Sequence, residues 1–356
     1  MNSALEPAVA RAMAIDAGSF LQQMDLLQRR ALFVRISQSD LRAASFLDER
    51  LGLQGREGLW VPLQGLSELA SAIGQPTATA GCIFHIGHCG STLLSRLLDQ
   101  DPGVLGLREP MVLRELAAAE RELDTPVARL ARERWRSLFA DSLALLGRPF
   151  SAGQQIVIKA TSSCNNLVEP LLTLDDQVRI VLMYLPLESY LATLMKAPGG
   201  GLDILSGAPA RLQYLHHALA DDSIRLHHLD AAETVAMSWV AELLRFRQIE
   251  TATVAGRRIL LLDFEELLEN PAAHLDAVRT HLGLDSTPID NAALMQSPVM
   301  RAYAKSPGHA YSPADRAHDI NLSRRKFGRE IAGGMRWAES LLATHSRCES
   351  LRALLH

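Results

Sequence analysis

No apolar run in this chain reaches the roughly 20 residues that a membrane-spanning helix requires, and the amino terminus lacks the charged-then-apolar order of a secretory leader. Cysteine is scarce. Cys82, Cys89, Cys164 and Cys348 show neither a CxxC pair nor a metal-ligand spacing, which argues against a disulfide scaffold and against a cysteine-held metal. Together these absences predict a cytoplasmic protein with reduced thiols and no membrane span. Excess charge of either sign is lacking too. A formal net charge of -4 gives no overall electrostatic reason to expect nucleic acid or an anionic membrane as partner. Internal repeats and low-complexity segments are also missing. His216-His217 and His227-His228 are adjacent pairs, and neighbouring residues point to different sides of a helix, so neither pair predicts a metal site. What remains is ordinary for a globular protein: 356 residues, 48% hydrophobic and 21% charged, enough for one large α/β domain or two domains.

One stretch organises the rest, Cys82 to Leu98. It begins with the apolar run Cys82-Ile83-Phe84, passes through Gly87 and Gly90 and the hydroxyls Ser91 and Thr92, and then repeats leucine at 93, 94, 97 and 98. That order predicts a buried strand, a tight turn and an amphipathic helix. The first turn of such a helix leaves backbone N–H groups without partners, and the helix dipole adds positive potential. Gly90 allows close backbone approach, and Ser91 and Thr92 add donors, so the stretch predicts an anion site, best suited to phosphate. An ordinary strand–turn–helix crossover is the alternative.

Residues 1–75 read as an accessory segment, mostly helical: helices over Ala4–Met13 and Phe20–Gln28, a strand over Ala31–Ile36, and a helix to Leu51 capped by Ser39 or Asp40. Gly55–Pro62 reads as a turn-rich connection, and no site chemistry is expected before the loop. Residues 76–290 read as an α/β core. Strands are expected at Val104–Leu107, Gln155–Ile158, Val178–Tyr184 and Arg258–Phe264, with helices between them. A mostly helical insertion occupies 199–253, with Asp230 and Glu233 at capping-box spacing. Continuous apolar strands alternating with helices predict a three-layer fold with a parallel central sheet covered on both faces. Ligands bind beyond the carboxyl ends of such strands. The polar residues there are Gly87–Thr92, Arg108-Glu109, Lys159–Asn166 and Asp263–Glu266. Residues 291–356 read as a basic loop and helices packing on that core.

The loop is not a nucleotide-kinase loop, because GxxxxGK[ST] places a lysine directly before the hydroxyl and here Gly90 precedes Ser91. It resembles the 5′-phosphosulfate loop of PAPS-dependent sulfotransferases, a basic residue followed by Ser-Gly-Thr-Thr. His88 takes the basic position, Cys89 the serine, Gly90 the glycine, and Ser91 and Thr92 the threonines. Further segments follow in the family's order. Arg108-Glu109-Pro110 resembles the second-strand motif, where many members place a catalytic acid, and Lys159-Ala160-Thr161-Ser162 resembles the Lys-Thr-Pro segment. Val178–Tyr184 with Pro186 resembles the 3′-phosphate strand. Asp263–Pro271 with His281-Leu282-Gly283-Leu284 resembles the Tyr-Glu-Asp-Leu…Pro…Phe-Leu-Gly segment. The resemblance covers about 81–284 and implies a sulfotransferase-type fold of the P-loop class.

The resemblance implies transfer of a sulfuryl group from PAPS to a hydroxyl or amine, with PAP as product and no metal. Glu109 is then the base, Lys159 an electrostatic clamp and His88 a loop donor, and Gly87, His88, Cys89, Gly90, Ser91, Thr92 and Thr193 hold the donor. Each has a plainer reading: a surface pair of Glu109 with Arg108, a lysine snorkelling from a strand end, a capping or core histidine, a space-filling Cys89. Two departures stand out. His88 carries positive charge only when protonated, where the family has Lys or Arg. Tyr184-Leu185-Pro186 replaces the family's Arg-Asp-Pro, and Ala192 stands at the following serine, with Thr193 the nearest hydroxyl. Arg325 or Lys326 is the expected substitute cation. Gly199-Gly200-Gly201 reads as either a lid or a plain loop. A small-molecule or peptide acceptor and a homodimer are expected as partners. Two other functions stay open: a nucleotide-binding protein of this fold without turnover, and a P-loop phosphotransferase.

Overall fold

The structure, a computed structural model, describes residues 7–73, 78–196, 202–252, 256–284 and 290–356. Its first elements are α1 (Pro7–Ile15), β1 (Ser19–Asp25), β2 (Arg30–Arg35), α2 (Gln38–Ala43), β3 (Gly58–Pro62) and α3 (Gly65–Ala72). The three strands form an antiparallel sheet in the order β1-β2-β3. This corrects the helix expected over Phe20–Gln28. Phe20, Leu21 and Met24 do fit a helical stripe, but Asp25 Oδ1 accepts the N–H groups of Leu27 and Gln28 at 3.1 and 2.9 Å, and Arg29 takes φ +54°. That Asx turn closes a hairpin onto β2 and overrides the stripe. The expected connection over Gly55–Pro62 likewise holds a strand, β3, because Leu59 and Val61 pair with β2. The α2 cap is Ser37, with Asp40 completing the capping box.

The chain continues through β4 (Thr79–His85), α4 (Ser91–Leu98), β5 (Val104–Arg108), α5 (Met111–Glu122), α6 (Arg132–Leu146), β6 (Gln155–Lys159) and α7 (Val168–Leu174). Then come β7 (Arg179–Tyr184), α8 (Leu187–Met195), α9 (Leu202–Leu219), α10 (Ala231–Thr251), β8 (Ile259–Asp263), α11 (Phe264–Glu269) and α12 (Pro271–Leu282). The last elements are α13 (Asn291–Gln296), β9 (Ala302–Tyr303), β10 (Ser306–Ala310), α14 (Pro313–Lys326) and α15 (Gly328–Thr344). Five strands form one parallel sheet in the order β5-β6-β4-β7-β8, flanked by helices, so the expected α/β class is what the chain adopts. β5 is buried along its whole length and β6 along all but Gln155, which is why they read as unbroken apolar runs.

By internal packing the chain divides into two units. One comprises Met1–Phe84, Thr92–Ile180 and Arg279–Ser286, the other His85–Ser91, Val181–Val278 and Thr287–His356. In the first, Arg148 is buried and donates to the carbonyls of Met13, Asp16 and Ser19 at 2.6, 2.9 and 2.5 Å, tying the start of β1 to the end of α6. In the second, α10 is buried on nearly every face and carries the expected box between Asp230 and Glu233. Trp239 on that helix donates its indole N–H to the Leu185 carbonyl at 2.8 Å. The Gly199–Gly201 segment lies outside the described residues.

Candidate functional site

The second unit supplies the loop between β4 and α4. Gly87, His88 and Gly90 take the left-handed φ values +90°, +52° and +72°. His85 Nδ1 accepts the Gly87 N–H at 2.9 Å. Ile86 is held twice, its N–H on the Met183 carbonyl at 3.2 Å and its own carbonyl by the Tyr190 hydroxyl at 2.9 Å. Cys89 is fully buried and donates its thiol to the same Met183 carbonyl at 3.4 Å, so it anchors the loop. Gly90 is required twice over. Its φ is one that side chains disfavour, and a Cβ there would sit 2.0 Å from Cε2 of the Phe264 ring. Arg316 in turn lies over that ring, 5.2 Å from its centroid.

Ser91 opens α4 and is buried; Thr92, also buried, belongs to the first unit. The segment from His85 to Thr92 carries no acidic side chain. Two hydroxyls at a helix amino terminus are donors suited to a phosphate or sulfate group. His88 is half-buried, and its backbone is left-handed without being glycine, a strain that persists only where the surroundings hold it.

The first unit supplies the ends of β5 and β6. Glu109, also left-handed at φ +58°, donates its N–H to the Lys159 carbonyl at 2.7 Å. Its Oε1 meets Lys159 Nζ at 2.5 Å and its Oε2 meets Arg50 Nη2 at 3.1 Å. Lys159 is wholly buried, so it is no snorkelling side chain. Arg50 also binds Asp48 Oδ1 through Nε at 2.8 Å and holds the Asp48 carboxyl below the usual range against the opposing cost of burial. Arg108 takes no part. It is buried in the opposite direction, on Asp99 at 3.0 Å and the carbonyls of Leu41, Arg42 and Ala44, so the expected alternative of an Arg108–Glu109 surface pair is not what forms.

Sequence reasoning assigned no chemistry before the loop and so missed Asp48 and Arg50. Their link to Glu109 spans 59 residues, and no local spacing announces it. In the second unit Thr193 donates to the Ser189 carbonyl at 2.8 Å. Arg324, next to the expected Arg325 and Lys326 in the same basic run, reaches α8, 2.9 Å from Glu188 and 3.4 Å from Ser189 Oγ. Tyr184 hydrogen-bonds Asp263, whose carboxyl burial pushes up to about 6. Among the described residues no cluster of three metal-ligating side chains occurs, and no helix is long and apolar enough to cross a membrane.

No protein-family model matches the sequence, and no curated protein matches it. Solved structures do show likenesses. A sulfotransferase from Alicyclobacillus acidocaldarius is 13% identical over 74% of this chain and 96% of its own, with a TM-score of 0.35. Sulfotransferase STF1 from Mycobacterium tuberculosis H37Rv is 17% identical over 75% of this chain and 81% of its own, at 0.38. Mouse sulfotransferase SULT7A1, solved with PAP, is 13% identical over 73% and 86%, at 0.30. At these values they are likenesses that assign neither residues nor a reaction.

Proposed function

We propose that this chain is a sulfotransferase that moves a sulfuryl group from PAPS to a hydroxyl or amine. The observation that carries the reading is the loop after β4: three left-handed residues, a glycine seated on Phe264, and two hydroxyls heading α4, with no lysine before Ser91. Those features suit a phosphosulfate and lack what a phosphotransferase loop needs. The loop N–H groups, His88, Ser91 and Thr92 would hold the donor's 5′ end, and Thr193 with Arg324 its 3′-phosphate. On the resemblance of Arg108-Glu109-Pro110 to the family's second-strand motif, Glu109 would take the proton of the acceptor as its oxygen or nitrogen bonds to sulfur, while the sulfur–oxygen bond to the phosphate breaks and PAP leaves. Lys159 and Arg50 fix the carboxylate that receives the proton.

A second reading, nucleotide binding without turnover, is favoured by one observation: both Glu109 oxygens are already engaged by cations. Incubation with PAPS, with PAP release followed by chromatography against a panel of phenols, alcohols and amines, separates the two. The proposal expects transfer that falls roughly 100-fold or more in Glu109→Gln. PAP binding with no release of PAP from PAPS under any acceptor supports the second reading instead.

A further inference from the structure

Residues 46–50 of the accessory segment are stitched to the end of β5 on both sides of Glu109. The Leu47 N–H donates to the Arg108 carbonyl at 2.7 Å, and the Leu47 carbonyl accepts the Met111 N–H at 3.2 Å. Gln22 Nε2, from β1, donates to the same carbonyl at 3.2 Å. Asp48 comes next and is buried, whereas the side chain of its partner Arg50 is 53% exposed. Both Asp48 oxygens engage Arg50: Oδ1 accepts the backbone N–H at 3.0 Å and Nε at 2.8 Å, and Oδ2 accepts Nη2. Arg114 Nη1 stands 3.7 Å from Oδ2. The Phe46 ring covers one face of the Arg50 guanidinium, its centroid 3.3 Å from Cζ. The planar fork is thereby held along one edge and one face, and Nη2 has a second N–H for Glu109 Oε2 at 3.1 Å.

The two oxygens of Glu109 are unlike. Oε1 meets Lys159, which is wholly buried, and Oε2 meets the half-exposed Arg50. A carboxylate oxygen has two lone pairs, so one bond from Arg50 leaves Oε2 able to accept a further donor. With Asp48 neutral, the guanidinium can turn its whole fork onto Glu109, in the bidentate geometry that arginine and carboxylate favour, and take that second lone pair.

We infer that Asp48 is a positioning residue for proton transfer: through Arg50 it keeps Glu109 Oε2 open to the acceptor while Oε1 stays on Lys159. The inference rests on the sulfotransferase reading proposed above. In that reaction the acceptor's O–H or N–H gives its proton to Oε2, its oxygen or nitrogen bonds to sulfur, and the bond from sulfur to the phosphate oxygen of PAPS breaks as PAP leaves.

Steady-state transfer from PAPS by the full chain, with the acceptor that the parent uses, tests it. Asp48→Asn keeps a side-chain oxygen to cap the Arg50 N–H but removes the charge. Its kcat is expected to fall roughly tenfold to 100-fold, with KM for PAPS and affinity for PAP within about twofold of the parent. Added to Glu109→Gln, Asp48→Asn is expected to cost no further activity, because it acts through the carboxylate already lost. Glu49→Gln removes an exposed carboxylate one residue away and should leave kcat unchanged. Should Asp48→Asn fail to fold, Arg50→Lys, which keeps the charge without the fork, replaces it with the same expectation. An unchanged kcat, a loss confined to KM or to PAP affinity, or a full additional loss on top of Glu109→Gln overturns the inference and leaves the sulfotransferase reading standing. No release of PAP by the parent with any acceptor overturns that reading and the inference with it.

Discussion

Two backbone strains coincide with the candidate chemistry: His88 and Glu109 are both left-handed without being glycine. Residues in such conformations are held by their surroundings, and at Glu109 the surroundings are two cations. Lys159 is fully buried, so neutralising Glu109 takes the opposing carboxylate away from a buried charge. Glu109→Gln is therefore expected to lower stability by about 3–5 kcal/mol in urea unfolding, and Glu109→Gln with Lys159→Met by clearly less. Equal losses in the two would remove the ion pair from the account. Gly90→Ala should abolish anion binding, because the added methyl meets Phe264 and the backbone is left-handed. Adding Phe264→Ala is expected to restore folding in part, leaving a residual cost of about 1 kcal/mol from φ. These side chains were nameable from the sequence, since Gly90, Glu109 and Lys159 each end a strand or turn. Arg50 was not, because its role depends on a contact between segments far apart in the chain.

At the scale of elements, the parallel strands were legible because each is a short unbroken apolar run between helical patterns. β1 was not, because its apolar residues fit both periods and the deciding feature is the Asp25 turn beyond its end. Helix caps behaved similarly. The α10 box could be read directly from Asp230 and Glu233, whereas at α2 the cap lay two to three residues earlier than expected, on Ser37. α10 anchors the second unit through Trp239 and the buried Arg211–Glu242 pair at 2.7 Å. Asp230→Ala is expected to destabilise it by about 1 kcal/mol, with Asp230→Asn close to the parent; thermal unfolding of the two variants side by side distinguishes a lost cap from a lost charge.

For the whole molecule, two carboxyls, the buried Asp263 and the half-buried Glu115, give stability a pH dependence. Glu115 accepts the Met24 N–H on the bulged strand β1, and burial pushes its carboxyl from 4.5 up to about 8. Asp263 is pushed from 3.8 up to about 6 by the same cause. Both folded-state values are raised, so their contributions to stability are fully present at acidic pH and are lost as pH rises, through about 6 for Asp263 and about 8 for Glu115. Unfolding temperature should thus fall from about pH 4 to about pH 8 and level off above it, and Glu115→Gln should flatten most of the upper part of that fall. An unchanged slope in the variant would mean that Glu115 ionises without penalty. Calorimetric titration of the purified chain with adenosine 3′,5′-bisphosphate, with ATP and ADP as controls, asks whether the loop after β4 holds a phosphosulfate donor. Micromolar binding of the bisphosphate that weakens in Ser91→Ala is the predicted result; no binding, or a preference for ATP, would contradict it.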